Sequence, residues 1–211
     1  MISTLLILFA VFIGSMTIYF FHVAFVKGEM FDIKSTKLRR NSKLNKFMDE
    51  LKDNLMFIEN TPFEWQYIQS EDGLTLAGKL YQYPQSDKMV ILFHGYRSIA
   101  ENDFSAYFKW YYENGYNILL VNQRAHGKSE GKYITFGARE QYDCVKWCEY
   151  VSDTFAYIHQ IILGGMSMGS TTILLASGLS LPEKVKGIVA DCGFTSPKEI
   201  IEKVASTQFG M

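Results

Sequence analysis

Cysteine and histidine are scarce in this sequence, and their scarcity removes whole classes of protein. Only three cysteines occur in 211 residues, Cys144, Cys148 and Cys192, and the first two sit four apart inside a stretch with helical spacing. An odd number so placed does not make a disulfide framework, and buried thiols are the simpler reading. The four histidines, His22, His94, His126 and His159, are scattered and lack metal-ligand spacing, so no metal and no cofactor is expected. Charge of one sign is also missing. With 21 basic and 22 acidic side chains, nothing global points to nucleic acid. No internal repeat and no low-complexity tract is visible, and the length suits one domain with a small appendage.

Charge is absent altogether from Ile2 to Val26. About 25 residues at ~1.5 Å each span a ~30 Å hydrocarbon layer with some tilt, so residues 1–27 are expected to form a single-pass transmembrane anchor. The stretch lacks the positive n-region, short apolar core and cleavage site of a signal peptide. Lys27, Lys34, Lys37, Arg39, Arg40, Lys43 and Lys46 follow it, opposed by Glu29 and Asp32, and no Lys or Arg precedes it. That bias predicts a cytoplasmic globular part, although the same stretch also reads as a linker that binds lipid headgroups. Residues 28–60 are this basic linker plus a short amphipathic helix marked by Leu44, Phe47, Met48, Leu51 and Leu55, which packs on the domain or lies on the membrane.

The globular domain is expected over residues 61–211. Phe63 to Tyr83 reads as two strands around the turn Glu71-Asp72-Gly73. Apolar runs without alternation follow, at Met89 to Phe93, Ile118 to Val121, Ile161 to Leu163 and Ile188 to Ala190, and suit strands buried on both faces of a parallel sheet. Between them Phe104, Tyr107, Phe108 and Tyr111 predict one helix face, ending at Asn114-Gly115, and Ala138, Tyr142, Val145 and Cys148 another. The fold class is therefore α/β, a doubly wound and mostly parallel sheet preceded by an antiparallel hairpin.

The chemistry concentrates at Gly165-Met166-Ser167-Met168-Gly169, directly after an apolar strand and before the helical run Thr171 to Ala176. A strand-to-helix turn this tight strains the serine backbone, pushes its hydroxyl out and needs glycine on both sides, so Ser167 is the candidate nucleophile of a nucleophile elbow; the bland alternative is a glycine-rich structural turn. The backbone N–H groups of Met168 and of Tyr96, in the loop after Met89 to Phe93, are the candidate oxyanion donors. His94 and Gly95 are expected to shape that loop, as Gly165 and Gly169 shape the elbow.

The hairpin with Asp72-Gly73, His94-Gly95, the run from Asn122 to Ser129, the Ser167 elbow and the run from Ala190 to Phe194 occur in the order found in the α/β-hydrolase superfamily. From about Phe63 onward the chain resembles the branch of serine aminopeptidase-like and esterase/lipase-like membrane-anchored bacterial hydrolases. The resemblance implies a serine hydrolase acting on a small-molecule or peptide substrate, with Arg124, His126 and Gly127 in a structural turn. It also implies an acid and then a histidine after the nucleophile, yet no histidine follows Ser167. Asp191 is either the acid or a structural strand-end aspartate. At least two strands of the expected sheet are missing, so the chain reads as C-terminally truncated and inactive on its own. The rival expectation is a non-enzymatic membrane-bound binding or scaffold module, or a non-functional fragment.

Overall fold

The computed structural model describes residues 2–31 and 47–209. The linker positions Asp32, Lys34, Lys37, Arg39, Arg40, Lys43, Leu44 and Lys46 lie outside the described residues. Six strands form one sheet: β1 (Glu64–Gln69), β2 (Thr75–Tyr81), β3 (Lys88–Phe93), β4 (Asn117–Asn122), β5 (Gln160–Met166) and β6 (Val185–Asp191). Their order across the sheet is β1-β2-β4-β3-β5-β6. The hairpin pairs antiparallel through the turn at Gly73, whose φ of 81° only glycine adopts without strain, and β2 runs antiparallel to β4. The remaining pairs, β4 with β3, β3 with β5 and β5 with β6, are parallel.

The apolar runs lack alternation because both faces of the sheet are covered. Along β3, Met89, Ile91 and Phe93 enter one core with Trp147, Cys144 and Ile173. Val90 and Leu92 enter the other, with Ile58, Phe104 and Phe108. Helices α5 (Glu140–Thr154) and α6 (Met168–Ala176) cover the first face. Helices α2 (Met48–Asn60), α3 (Ala100–Asp103) and α4 (Ser105–Glu113) serve the second. The amphipathic segment thus packs on the domain: Leu55 and Ile58 of α2 are buried and Phe57 meets Phe108 and Tyr112 edge-on.

One helix face keeps the expected phase and one does not. At α4, Phe104, Phe108 and the half-buried Tyr111 enter the core as expected, and Tyr107 falls outside it, 48% exposed. In α5 the buried face is Glu140, Asp143, Cys144, Trp147, Cys148 and Val151, while Ala138 is exposed and Tyr142 and Val145 only half-buried. The indole of Trp147, the largest side chain fully buried, sets that phase, and Asp143 is drawn inward by Arg124. β6 is an edge among the described residues, with Val189 55% exposed. The segment after it, α7 (Pro197–Phe209), is a helix.

The apolar N-terminal segment is one helix, α1 (Ile2–Phe25). Its stretch Thr4–Phe25 has a mean hydropathy of 2.2 and is long and apolar enough to cross a membrane.

Candidate active site

Strand β5 delivers the chain to Met166, and α6 begins at Met168, so Ser167 must turn the backbone in a single residue. It does so with φ 51° and ψ −112°, a conformation that L-residues rarely adopt. The turn is held by the Ser167 N–H donating to the Asp191 carbonyl at 2.9 Å. The Ser170 hydroxyl lies within bonding distance of the carbonyls of Gly165 and Asp191, at 2.6 and 2.5 Å.

Both flanking glycines are sterically required. A methyl on Gly165 would lie 2.5 Å from the carbonyl carbon and oxygen of Gly169, and one on Gly169 would overlap the Phe93 carbonyl oxygen. Helix α6 therefore approaches β5 and β3 as closely as backbones allow. Met168 is fully buried at the first turn of α6, where backbone N–H groups have no intrahelical acceptor.

The loop after β3 lies against this turn, since a methyl on Gly95 would sit 3.4 Å from Ser167 Cβ. Asp103 fixes the loop, with one carboxylate oxygen accepting the Gly95 N–H at 2.7 Å and the other the Ser98 hydroxyl at 2.6 Å. Burial raises the pKa of Asp103, and these two hydrogen bonds oppose the rise. Gln123 ties three elements together. Its Nε2 donates to the His94 carbonyl at 2.5 Å and its Oε1 accepts the Thr172 hydroxyl of α6 at 3.1 Å. Sequence reading missed Asp103, Gln123 and Thr172; only the polar character of residues so close to Gly95 and Asn122 could have flagged them.

Both buried histidines belong to loops. The Nε2 of His94 accepts the Gln123 N–H at 3.2 Å, and the Nε2 of His126 accepts the Arg97 N–H at 3.1 Å. Their Nδ1 atoms face the carbonyls of Gly95 and Arg124, at 2.8 and 2.9 Å, so each ring is neutral with its proton on Nδ1. Burial pushes the pKa of His94 down to about 4 and, with the neighbouring His94 ring adding to it, that of His126 to about 3. His159 lies at the start of β5, at the opposite end of the sheet from Ser167, and His22 lies in α1.

Beneath the β4 loop, Arg124 is clamped by two carboxylates. Its Nε and Nη2 donate to Asp143, both at 2.7 Å, and Nη1 and Nη2 to Asp72 at 2.9 and 3.1 Å. The hairpin turn is thus bolted to the loop that follows the central strand. The guanidinium holds Asp72 well below the usual carboxylate range, whereas burial, opposed by Arg124, lifts Asp143 to about 6.

Asp191 is exposed at the end of β6, and its described bonds to the elbow run through its main chain. The described residues also form a cleft of about 400 Å³ lined by Gln82, Tyr83, Pro84, Asn117 and Tyr157. It lies at the N-terminal ends of the strands, away from Ser167.

A protein family described as serine aminopeptidase, S33, matches residues 84–208. YqkD, an uncharacterized protein of Bacillus subtilis, is 28% identical over 137 residues, which is 65% of this chain and 44% of the relative. The thiohydrolase aneE of Aspergillus aculeatus is 26% identical over 142 residues, 64% of this chain and 42% of the relative. Among solved structures, an esterase from Pyrococcus furiosus superposes with a TM-score of 0.56 at 30% identity, over 75% of this chain and 56% of the esterase. The chain therefore spans about half the length of these relatives. Hairpin, mixed sheet and matched region agree: the chain belongs to the serine aminopeptidase S33 family, within the α/β-hydrolase superfamily.

Proposed function

We propose that Ser167 is the nucleophile of a serine hydrolase that cleaves an ester, thioester or amide through an acyl-enzyme. The single observation that carries this reading is the backbone of Ser167, held at φ 51° and ψ −112° between two glycines that no larger residue can replace. Such strain is retained where it aims a group. The oxyanion is received by the N–H groups of Tyr96 and Met168, since the Gly95 loop and the α6 N-terminus flank Ser167 from two sides. Gly95, shaped by the ring and carbonyl of His94, gives the loop its close approach. No cofactor or metal takes part. Similarity to an esterase and a thiohydrolase supports esters and thioesters, and the description of the family as serine aminopeptidase supports amides.

A serine hydroxyl is a weak nucleophile until a base takes its proton. His94 and His126 are engaged through both ring nitrogens, and no histidine follows Ser167 in these 211 residues. In this reading the base is a histidine encoded beyond these residues, and the 211-residue chain by itself turns over no substrate. Asp191 lies at the same end of the sheet as Ser167 and is the candidate acid for that base, unless it acts only through its main chain. The missing base also favours a second reading, a membrane-bound binding or scaffold module. Turnover separates the two. The product of the whole gene should hydrolyse short-chain nitrophenyl esters or thioesters, and Ser167→Ala should abolish this with folding intact; rates equal in both proteins would favour the scaffold.

Residues 1–27 form a membrane anchor in this reading, residues 28–60 a basic linker and packing helix, and residues 61–211 the hydrolase domain on the cytoplasmic side. The length and hydropathy of α1, the lysines and arginines that follow it and the unpaired cysteines support this arrangement. Cleavage of the domain by protease added outside intact cells would reverse the topology.

A further inference from the structure

The last turn of an α-helix leaves carbonyls that need partners outside the helix. A helix on a flexible tether gives them to water or lipid headgroups, but the carbonyls at the end of α1 are taken by the globular domain. The Tyr96 hydroxyl donates to Ala24 at 2.9 Å and lies 3.3 Å from the Val23 carbonyl. The Ile134 N–H donates to Phe25 at 2.7 Å, and Arg97 Nη2 to Val26 at 3.0 Å. The chain beyond the helix is held as well. Val26 bridges to Tyr133, the Lys27 N–H donates to Lys132, and Phe31 exchanges hydrogen bonds with Arg97 and Asn102.

These partners come mainly from the loops after β3 and β4, at the end of the sheet that carries Ser167. Large apolar side chains from Leu5 to Ile18 meanwhile stay between 38% and 72% exposed. Where the helix meets the domain, Phe21 contacts Tyr133 and Phe25 contacts Phe136, each pair with ring centroids 5.6 Å apart. Phe136 stacks on Tyr96 and approaches Phe194, and those two pack against the small cluster of Ala125, Ile134 and Met168, the last adjoining Ser167. An aromatic path therefore runs from the end of the helix to the cluster beside the nucleophile. Lys27 donates to the Gly127 and Ser129 carbonyls and Arg97 to that of Val26, while the exposed Lys132 lies over the Tyr133 ring, an aromatic and basic pair that suits a headgroup layer.

We propose that α1 is docked on the loops beside Ser167, so that the nucleophile opens at the lipid surface and takes a long-chain acyl ester or thioester from the leaflet. This rests on Ser167 being the nucleophile and on α1 crossing a membrane. Cys192 offers a site for a test because it is exposed and follows Asp191, whose carbonyl holds the Ser167 N–H. Cys144 and Cys148 are buried, so a thiol-reactive fluorophore in the folded full chain labels Cys192.

The labelled chain is placed in phosphatidylcholine vesicles with or without bromines on the acyl chains, which quench at contact. The control carries its label at Glu183→Cys in a Cys192→Ser background, an exposed position before β6 at the far end of the sheet. Flotation confirms that both proteins are vesicle-bound, and circular dichroism that both are folded. The expected result is a loss of emission at Cys192 in brominated vesicles and none at the control. No loss at either position, equal loss at both, loss only at the control, or failure to float would each overturn the proposal. The readout is independent of Ser167 chemistry, so an unreactive serine would show separately, as absent fluorophosphonate labelling of Ser167 in the product of the whole gene beside an unchanged quenching pattern.

Discussion

Acid should unfold this domain through two histidines buried for architectural reasons. An ordinary histidine titrates near 6.5, but His94 in the folded chain is pushed to about 4 and His126 to about 3. Below about pH 6.5 the unfolded chain therefore binds protons that the folded chain refuses, and stability is lost as pH falls from there. At about pH 5 each ring has cost roughly 2 kcal/mol, taking 1.4 kcal/mol per unit of pKa. Asp143 works the other way. Lifted to about 6 from 3.8, it binds a proton in the folded state first and returns about 1.4 kcal/mol by about pH 5. The net loss between about pH 8 and 5 is then roughly 2 to 3 kcal/mol, a large share of a typical domain's stability. Urea titrations of the chain in detergent, followed by far-ultraviolet circular dichroism, measure it. His126→Gln keeps an acceptor for the Arg97 N–H and should flatten the slope by about 1.4 kcal/mol per pH unit between about pH 6 and 4. A midpoint that does not move with pH, or an unchanged slope in the variant, would refute the neutral state of the two rings.

Gly169→Ala should prevent folding or cost upwards of about 4 kcal/mol, because its methyl must displace the Phe93 carbonyl; a thermal melt checks this, and a small shift would mean that α6 can retreat. Arg124→Ala should destabilise by about 3 to 5 kcal/mol, since it strands Asp143 without its partner, and Arg124→Lys should recover only part of that because an ammonium cannot hold two carboxylates in parallel pairs. The purified 211-residue chain should turn over a short-chain nitrophenyl ester no faster than its own Ser167→Ala variant, as loss of a triad base typically costs on the order of 10⁶ in turnover. A clear Ser167-dependent rate would show that His94, His126 or His159 serves as base, or that association of copies completes the site.

Local chemistry made much of this fold legible in advance. The runs at β3, β4 and β5 could be read because strands covered on both faces need no polar side chains, and the hairpin because Asp72-Gly73 suits its turn. The elbow was readable because a one-residue strand-to-helix turn leaves few choices of residue around Ser167. The phase of α5 was not, since it follows Trp147 and the pull of Arg124 on Asp143 across 19 positions in sequence. Nor were the loop ties of Asp103 and Gln123, or the docking of Val23 to Phe31 on the loops beside Ser167. Those hydrogen bonds join residues up to 109 positions apart, and pattern within one segment carries no trace of them.

The acyl-enzyme proposed on Ser167 should be trapped directly by a covalent probe. The product of the whole gene should be treated in its native membrane with a fluorophosphonate, digested, and mapped by mass spectrometry. One adduct is expected, on the peptide carrying Ser167, absent from Ser167→Ala and suppressed when a long-chain thioester competes. An adduct on another residue, or labelling undiminished in the variant, would contradict the account.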